Sequence, residues 1–274
     1  MLNPASTALI SAPDNPGYNY SDGDTYNLGL AYGNAPSRNF QICWAFDPTA
    51  DGGASDYKVP VGSFVMNGPI QNVKVSCTMG QPCNVQLSGL ALNGTNVVQL
   101  VVGTGLCGSD DVEEAALVGF RNPCPVTDDA SDDLYAFGMV IEGGAYSICR
   151  VPTPASSCIG GHYRLCWAHG QTRTGEGLPN LVVEVGSFTM SGPFVAYSVE
   201  CVLGTVCAFL LAGSAFLPSN RIFIIHERSA CSDPDPPLAH FEGLQNPANA
   251  AEVTSGSEAT FRLGRSHGGQ FGTY

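Results

Sequence analysis

Four stretches of the sequence carry residue types at spacings that catalysis or ligand binding uses. Gly103-x-Gly105-x-x-Gly108 follows the β-branched run "NVVQLVV" (96–102) and precedes "SDDVEEAALVGF" (109–120), which has room for one or two helical turns. A strand, a glycine turn and a helix in that order imitate a dinucleotide fingerprint, where glycines let the backbone approach a pyrophosphate. "GRSHG" (264–268) fits Gly-x-Ser-x-Gly, with Ser266 in the nucleophile position and His267 beside it. "TDDASDD" (127–133) collects carboxylates of the kind that attract Ca²⁺. Cys77 and Cys83 enclose "TMGQP", and Cys201 and Cys207 enclose "VLGTV". A five-residue turn containing glycine can bring two strand-end cysteines to bridging distance.

The scaffold that must position these residues is duplicated. "FQICWA" (40–45) returns as "YRLCWA" (163–168), and "VGSFVMNGP" (61–69) returns as "VGSFTMSGP" (185–193). From there the spacing holds at 124 residues through Cys77/Cys201, Gly89/Gly213, Asn96/Asn220 and Cys107/Cys231 to "GFRNP" (119–123) and "GLQNP" (243–247). Weaker copies of the opening phrase occur at "YNLGLAYG" (26–33), "YSICRVP" (146–152) and "FRLGRSHG" (261–268). Tyr146 and Phe261 are read as the closing positions of the two repeats, which makes the acidic loop of repeat one nine residues longer than that of repeat two.

Inside each repeat the apolar period is two, as in half-buried strands: residues 73, 75 and 77 share a face, as do 197, 199 and 201. Gly-Pro, Asn-Gly and Gly-Gln-Pro separate these runs. The expected fold is all-β: two tandem homologous immunoglobulin-like antiparallel β-sandwiches with short extended tails. The boundaries read as an N-terminal arm (1–37), repeat one (38–150), a Pro/Ser/Gly-rich linker (151–160), repeat two (161–265) and a C-terminal tail (266–274). Trp44 and Trp167, the only two tryptophans, are expected to anchor the two cores.

The duplication also weighs the chemistry. The segment equivalent to the glycine turn, "IFIIHERSACSDPDPPLAHF", has none of the three glycines, so no nucleotide site is expected. Ser266 and His267 lack the helix and the partners of a hydrolase, and the acidic run lacks the spaced ligands of a Ca²⁺ loop. There is no Cys-x₂-Cys, and the five histidines do not recur at the repeat spacing, so neither metal nor cofactor is expected. Cys43/Cys166 and Cys107/Cys231 repeat as well, which allows two bridges per repeat or buried free thiols. Eleven cysteines is an odd number, so at least one is free or pairs between chains.

A net charge of −13 would repel nucleic-acid phosphates, and Lys58 and Lys74 are the only lysines, which excludes basic membrane patches. Stretches such as "CAFLLAGSAFL" (207–217) are too short to cross a bilayer, so no membrane insertion is expected. "MLNPASTALISAPDNPGYNY" lacks the charged and apolar regions of a signal peptide. The sequons at Asn19 and Asn93 matter only in a secretory setting.

"YRLCW", "VEVGSFTMSGP" and "CVLGTVC" together resemble a tandem β-repeat of dinoflagellate, diatom and related protist proteins, over nearly all of 26–265. Members of that family usually carry Leu-Cys-Trp-Cys, and here Ala45 and Ala168 replace the second cysteine. The compact two-repeat layout is similar to the pyrenoid shell proteins of diatoms. That resemblance implies a non-enzymatic protein that tiles with itself into a sheet or shell. Its setting would be the chloroplast stroma, with the Rubisco condensate as an indirect partner. The alternative is a secreted adhesion or glycan-binding module. Phe271 and Tyr274, on a glycine-rich tail, are expected to reach a neighbouring subunit.

Overall fold

The computed structural model describes residues 37–46, 54–102, 106–109, 112–115, 117–127, 133–140, 161–170, 181–194 and 198–269. These are almost entirely β, with one 3₁₀ turn at Ala54–Asp56. The strands begin with β1 (Ser37–Trp44), β2 (Val59–Met66), β3 (Gly68–Pro69), β4 (Val73–Thr78) and β5 (Pro82–Gln86). β6 (Gly89–Leu90), β7 (Val97–Val102), β8 (Glu113–Glu114), β9 (Cys124–Pro125) and β10 (Leu134–Met139) follow. After them come β11 (His162–Ala168), β12 (Val183–Pro193) and β13 (Val206–Ser214). The last four are β14 (Arg221–Ile222), β15 (Glu242–Leu244), β16 (Ala248–Thr254) and β17 (Glu258–Gly268).

Local geometry repeats along the chain. Gly68 pairs with Leu90 as Gly192 pairs with Ser214, and Val98 pairs with Cys124 as Ile222 pairs with Ala248. Asn122 donates through Nδ2 to the Leu100 and Ala115 carbonyls at 2.8 and 3.0 Å; Asn246 does the same to Ile224 and Ala239, both at 2.8 Å. Ala91 and Ala215 share a left-handed backbone, at φ 51° and 53°. Residues 68–140, the first body, thus share these local pairings with residues 192–193 and 198–268, of which 198–268 form the second body.

The core of the first body lies between two layers. β5 and β10 supply Val85, Tyr135 and Phe137, and β7 supplies Val98 and Leu100 from the facing sheet. β7 is paired on both edges, by β11 and by β8 and β9. It is buried along nearly its whole length because Val98 and Leu100 pack into the main core on one face while Val101 packs with Cys107, Cys166, Ala168 and Leu181 on the other. A β-branched run without alternation is what a strand covered on both faces needs. The strand pairs are antiparallel except β4–β12, which is parallel.

Four expectations need correction. The described part of 109–120 holds no helix; it returns as β8, because Glu113 and Glu114 pair with Val102 and Val101. Phe261 pairs with Phe209 as Tyr135 pairs with Val85, and Gly264 pairs with Cys207 as Gly138 pairs with Cys83. The structural partner of Phe261 is thus Tyr135 rather than Tyr146, which lies outside the described residues. With that match repeat two is no longer nine residues shorter over this loop but two residues longer, since 261 − 135 is 126 against the 124 of Asn122 and Asn246. Lastly, β17 runs to Gly268, so 266–268 belong to the second body and not to a tail. Residues 1–36, 151–160 and 270–274, with Phe271 and Tyr274, lie outside the described residues.

Candidate functional site

The opening strands of repeat two do not complete repeat two. β11 lies along β7 in antiparallel register, Leu165 opposite Leu100 and Trp167 opposite Val98. β12 runs parallel to β4, from Gly186 opposite Val73 to Ser191 opposite Thr78. Only the end of β12, Gly192–Pro193, pairs with the second body through β13. The β11–β12 pair therefore reaches back over the first body. Tyr163, Leu165, Trp167, Val185, Phe188 and Met190 all enter its core. Burying side chains of this size contributes roughly 1.5–3 kcal/mol each before ordering is counted.

Two further links hold the pair in place. Cys166 on β11 is bridged to Cys107, just beyond β7, so the second bridge joins the two repeats instead of forming within one. Gly186 passes so close to β4 that a Cβ there would strike the Val73 backbone. Glycine is required at that position by the approach of the neighbouring strand, since its own φ is unremarkable.

The equivalent pair from repeat one, β1–β2, has the same internal register, with Ile42 opposite Gly62 where β11–β12 has Leu165 opposite Gly186. It forms a separate two-stranded sheet. Trp44 is 39% exposed, whereas Trp167 is 7% exposed. Trp44 is consequently not a core anchor in the single chain, because among the described residues β1 pairs with β2 alone. Ile42, Val61 and Val65 are also exposed, and no described residue comes within 4 Å of a Cβ on Gly62.

The second body shows the complementary surface. Val98 and Leu100 are fully buried, while Ile222 and Ile224 are only partly covered and Phe223 is 44% exposed. The strand equivalent to β7 shrinks to the two residues of β14. Residues 198–202, equivalent to most of β4, are not in a strand, and Val199 and Val202 are exposed. The core here is two small clusters, with Phe209 and Ile222 at the margin of both.

The cysteines follow the same division. Cys77–Cys83 and Cys201–Cys207 are bridged within their own turns. Among the described residues Cys43, Cys124 and Cys231 are free, Cys43 and Cys231 exposed and Cys124 buried. Burial pushes the Cys124 thiol up to about 12, against the opposing charge of Arg121. Burial likewise pushes the Tyr135 phenol up to about 12, with the Trp167 indole drawing it back, and raises Tyr163 to about 12.

The other chemical motifs are absorbed by the fold. The Ser266 carbonyl accepts from Gly204 N–H at 2.8 Å as the Val140 carbonyl accepts from Gly80 N–H at 2.7 Å. Ser266 thus takes the place of a buried valine in a strand, and its Oγ donates to the Gly268 carbonyl at 3.0 Å. Gly108 lies in the turn between β7 and β8, while Gly103 and Gly105 lie outside the described residues. Of the acidic run, Asp133 accepts from Gln86 Nε2 at 3.3 Å and residues 128–132 are outside the described set. Among the described residues no group of three or more His, Cys, Asp or Glu is placed to hold a metal ion, and no helix is long and apolar enough to cross a membrane.

In comparison with known proteins, the chain matches no family model and no curated sequence.

Proposed function

We propose that this is a non-enzymatic structural protein that self-assembles into a sheet or shell, built from two homologous immunoglobulin-like β-sandwiches. The observation that carries the reading is the exposed β1–β2 pair, which presents apolar side chains and free strand edges together. Such edges pair with other chains unless they are covered, and contiguous exposed apolar surface marks an interaction site. The half-buried core of the second body supports the same reading. The resemblance to pyrenoid shell proteins supplies a setting, the boundary of the Rubisco condensate in a diatom chloroplast. Electron microscopy of the purified chain tests the proposal: ordered sheets or tubes are expected, and monodisperse single particles at all concentrations would refute it.

A second reading, a secreted adhesion or glycan-binding module, is supported by the disulfides, since structural bridges persist mainly in oxidising compartments. Glycosylation at Asn93 in the natural source would favour it. A mass spectrum showing Asn93 bare would favour the stromal setting.

A further inference from the structure

We propose that each copy donates its β1–β2 pair to the second body of another copy, forming a head-to-tail chain whose contacts repeat those of β11–β12 on the first body. This rests on the self-assembly reading and names its partner, a second copy of this chain. The interface is already present once inside each molecule, which specifies what a copy of the same pair would cover. Transferring the intramolecular registers places Ile42 opposite Ile224 and Trp44 opposite Ile222 of the acceptor. β2 would run parallel to 198–202, with Phe64 opposite Val199. These are the residues left exposed or half-covered in the single chain.

Two observations point to the same partner independently. The first is Gly62, whose equivalent Gly186 must be glycine because β4 passes against it; Gly62 has no such neighbour among the described residues of its own chain. Its glycine is explained by a strand arriving from elsewhere. The second is the pair of exposed thiols. Cys43 and Cys231 occupy the positions of Cys166 and Cys107, which are joined. Docking would bring Cys43 of the donor to Cys231 of the acceptor.

With a small-molecule disulfide such as glutathione disulfide as oxidant, the chemistry balances. The Cys43 thiolate attacks one glutathione sulfur and expels a glutathione thiolate. The Cys231 thiolate then attacks the Cys43 sulfur of the mixed disulfide and expels the second glutathione. The two thiols lose two electrons, the oxidant gains them, and both protons end on glutathione. Because donor and acceptor patches differ, the contact is heterologous, and a copy that has donated its pair still offers its own second body to another donor, so the chain extends unless the rotation closes it into a ring. Strand donation of this kind is an established way to link subunits.

The test uses the full chain. Gly62→Val, whose first added atom meets no described residue of the monomer, should leave the melting curve unchanged and lower the assembled fraction at least tenfold by size exclusion and microscopy. With glutathione disulfide, non-reducing electrophoresis of the wild type should give a ladder. Mixed Cys43→Ser and Cys231→Ser chains should stop at a dimer, each alone remaining a monomer. A wild type that assembles while Gly62→Val assembles equally well would overturn strand donation and leave self-assembly standing. A Cys43–Cys231 bridge within one chain, seen as a faster monomer band, would also overturn it, as would a missing dimer in the mixture. A wild type that never assembles would overturn both proposals.

Discussion

Trp44 and Trp167 sit in the same six-residue phrase, on strands with the same internal register, and only one of them is buried. β11–β12 and β1–β2 differ little in sequence; they differ in whether a body precedes them in the chain. β11–β12 follows the first body and covers it, whereas β1–β2 pairs only with itself among the described residues. The comparison teaches that periodicity decides which residues form strands and which face is apolar, while the partner of that face is a matter of connectivity.

The largest expected difference between the pairs comes from backbone approach. Gly186→Val should prevent the first body from folding, a loss above about 4 kcal/mol, because the added atoms would meet the β4 backbone. Gly62→Val should be silent in dilute monomer, and equal losses from both would break the comparison. Next, Trp167→Ala should cost about 3–5 kcal/mol in chemical unfolding. Trp44→Ala should stay within about 0.5 kcal/mol in dilute protein, as an exposed substitution does.

Opening the bridge with Cys107→Ser and Cys166→Ser should cost about 2–4 kcal/mol, more than removing Cys77–Cys83, since the bridged residues are 59 apart rather than 6. A smaller effect concerns pH. The Tyr135 and Tyr163 phenols are held at about 12 in the folded first body, above their ordinary 10. Below the ordinary value neither state ionises and stability is full. As pH rises from 10 toward 12 the unfolded chain loses its protons first, so stability falls. Phe261 and Phe40 hold the equivalent positions, so the alkaline loss should fall on the first body and flatten in Tyr135→Phe/Tyr163→Phe.

The smallest effect is in thiol reactivity. Iodoacetamide at mild pH should label Cys43 and Cys231 and spare Cys124, with no change in fold, as read by peptide mass spectrometry.

Features governed over a few residues were legible in the sequence. The duplication, the alternating strands and the two short cysteine turns all depend on local spacing, and Cys77–Cys83 and Cys201–Cys207 are bridged where that spacing allows. Pairing across the repeat boundary was not legible. "YRLCWA" forms a strand whichever body it meets, and four equivalent cysteines allow Cys107 to pair with either Cys43 or Cys166. One signal was available: glycine at both 62 and 186, inside otherwise β-branched and aromatic runs, marks close backbone approach. The end of β17 was misread for a related reason. Repeat two reads as ending at 265 with a tail from 266, yet Gly264, at φ +111°, sits inside β17, which continues to Gly268.

A cryo-electron microscopy map of the assembled protein tests the central claim most directly. The account predicts β1 of one copy lying antiparallel along residues 221–225 of the next, with Trp44 opposite Ile222 and buried to the same degree as Trp167. A map in which β1–β2 remains a free two-stranded sheet, or folds back on the second body of its own chain, would contradict it.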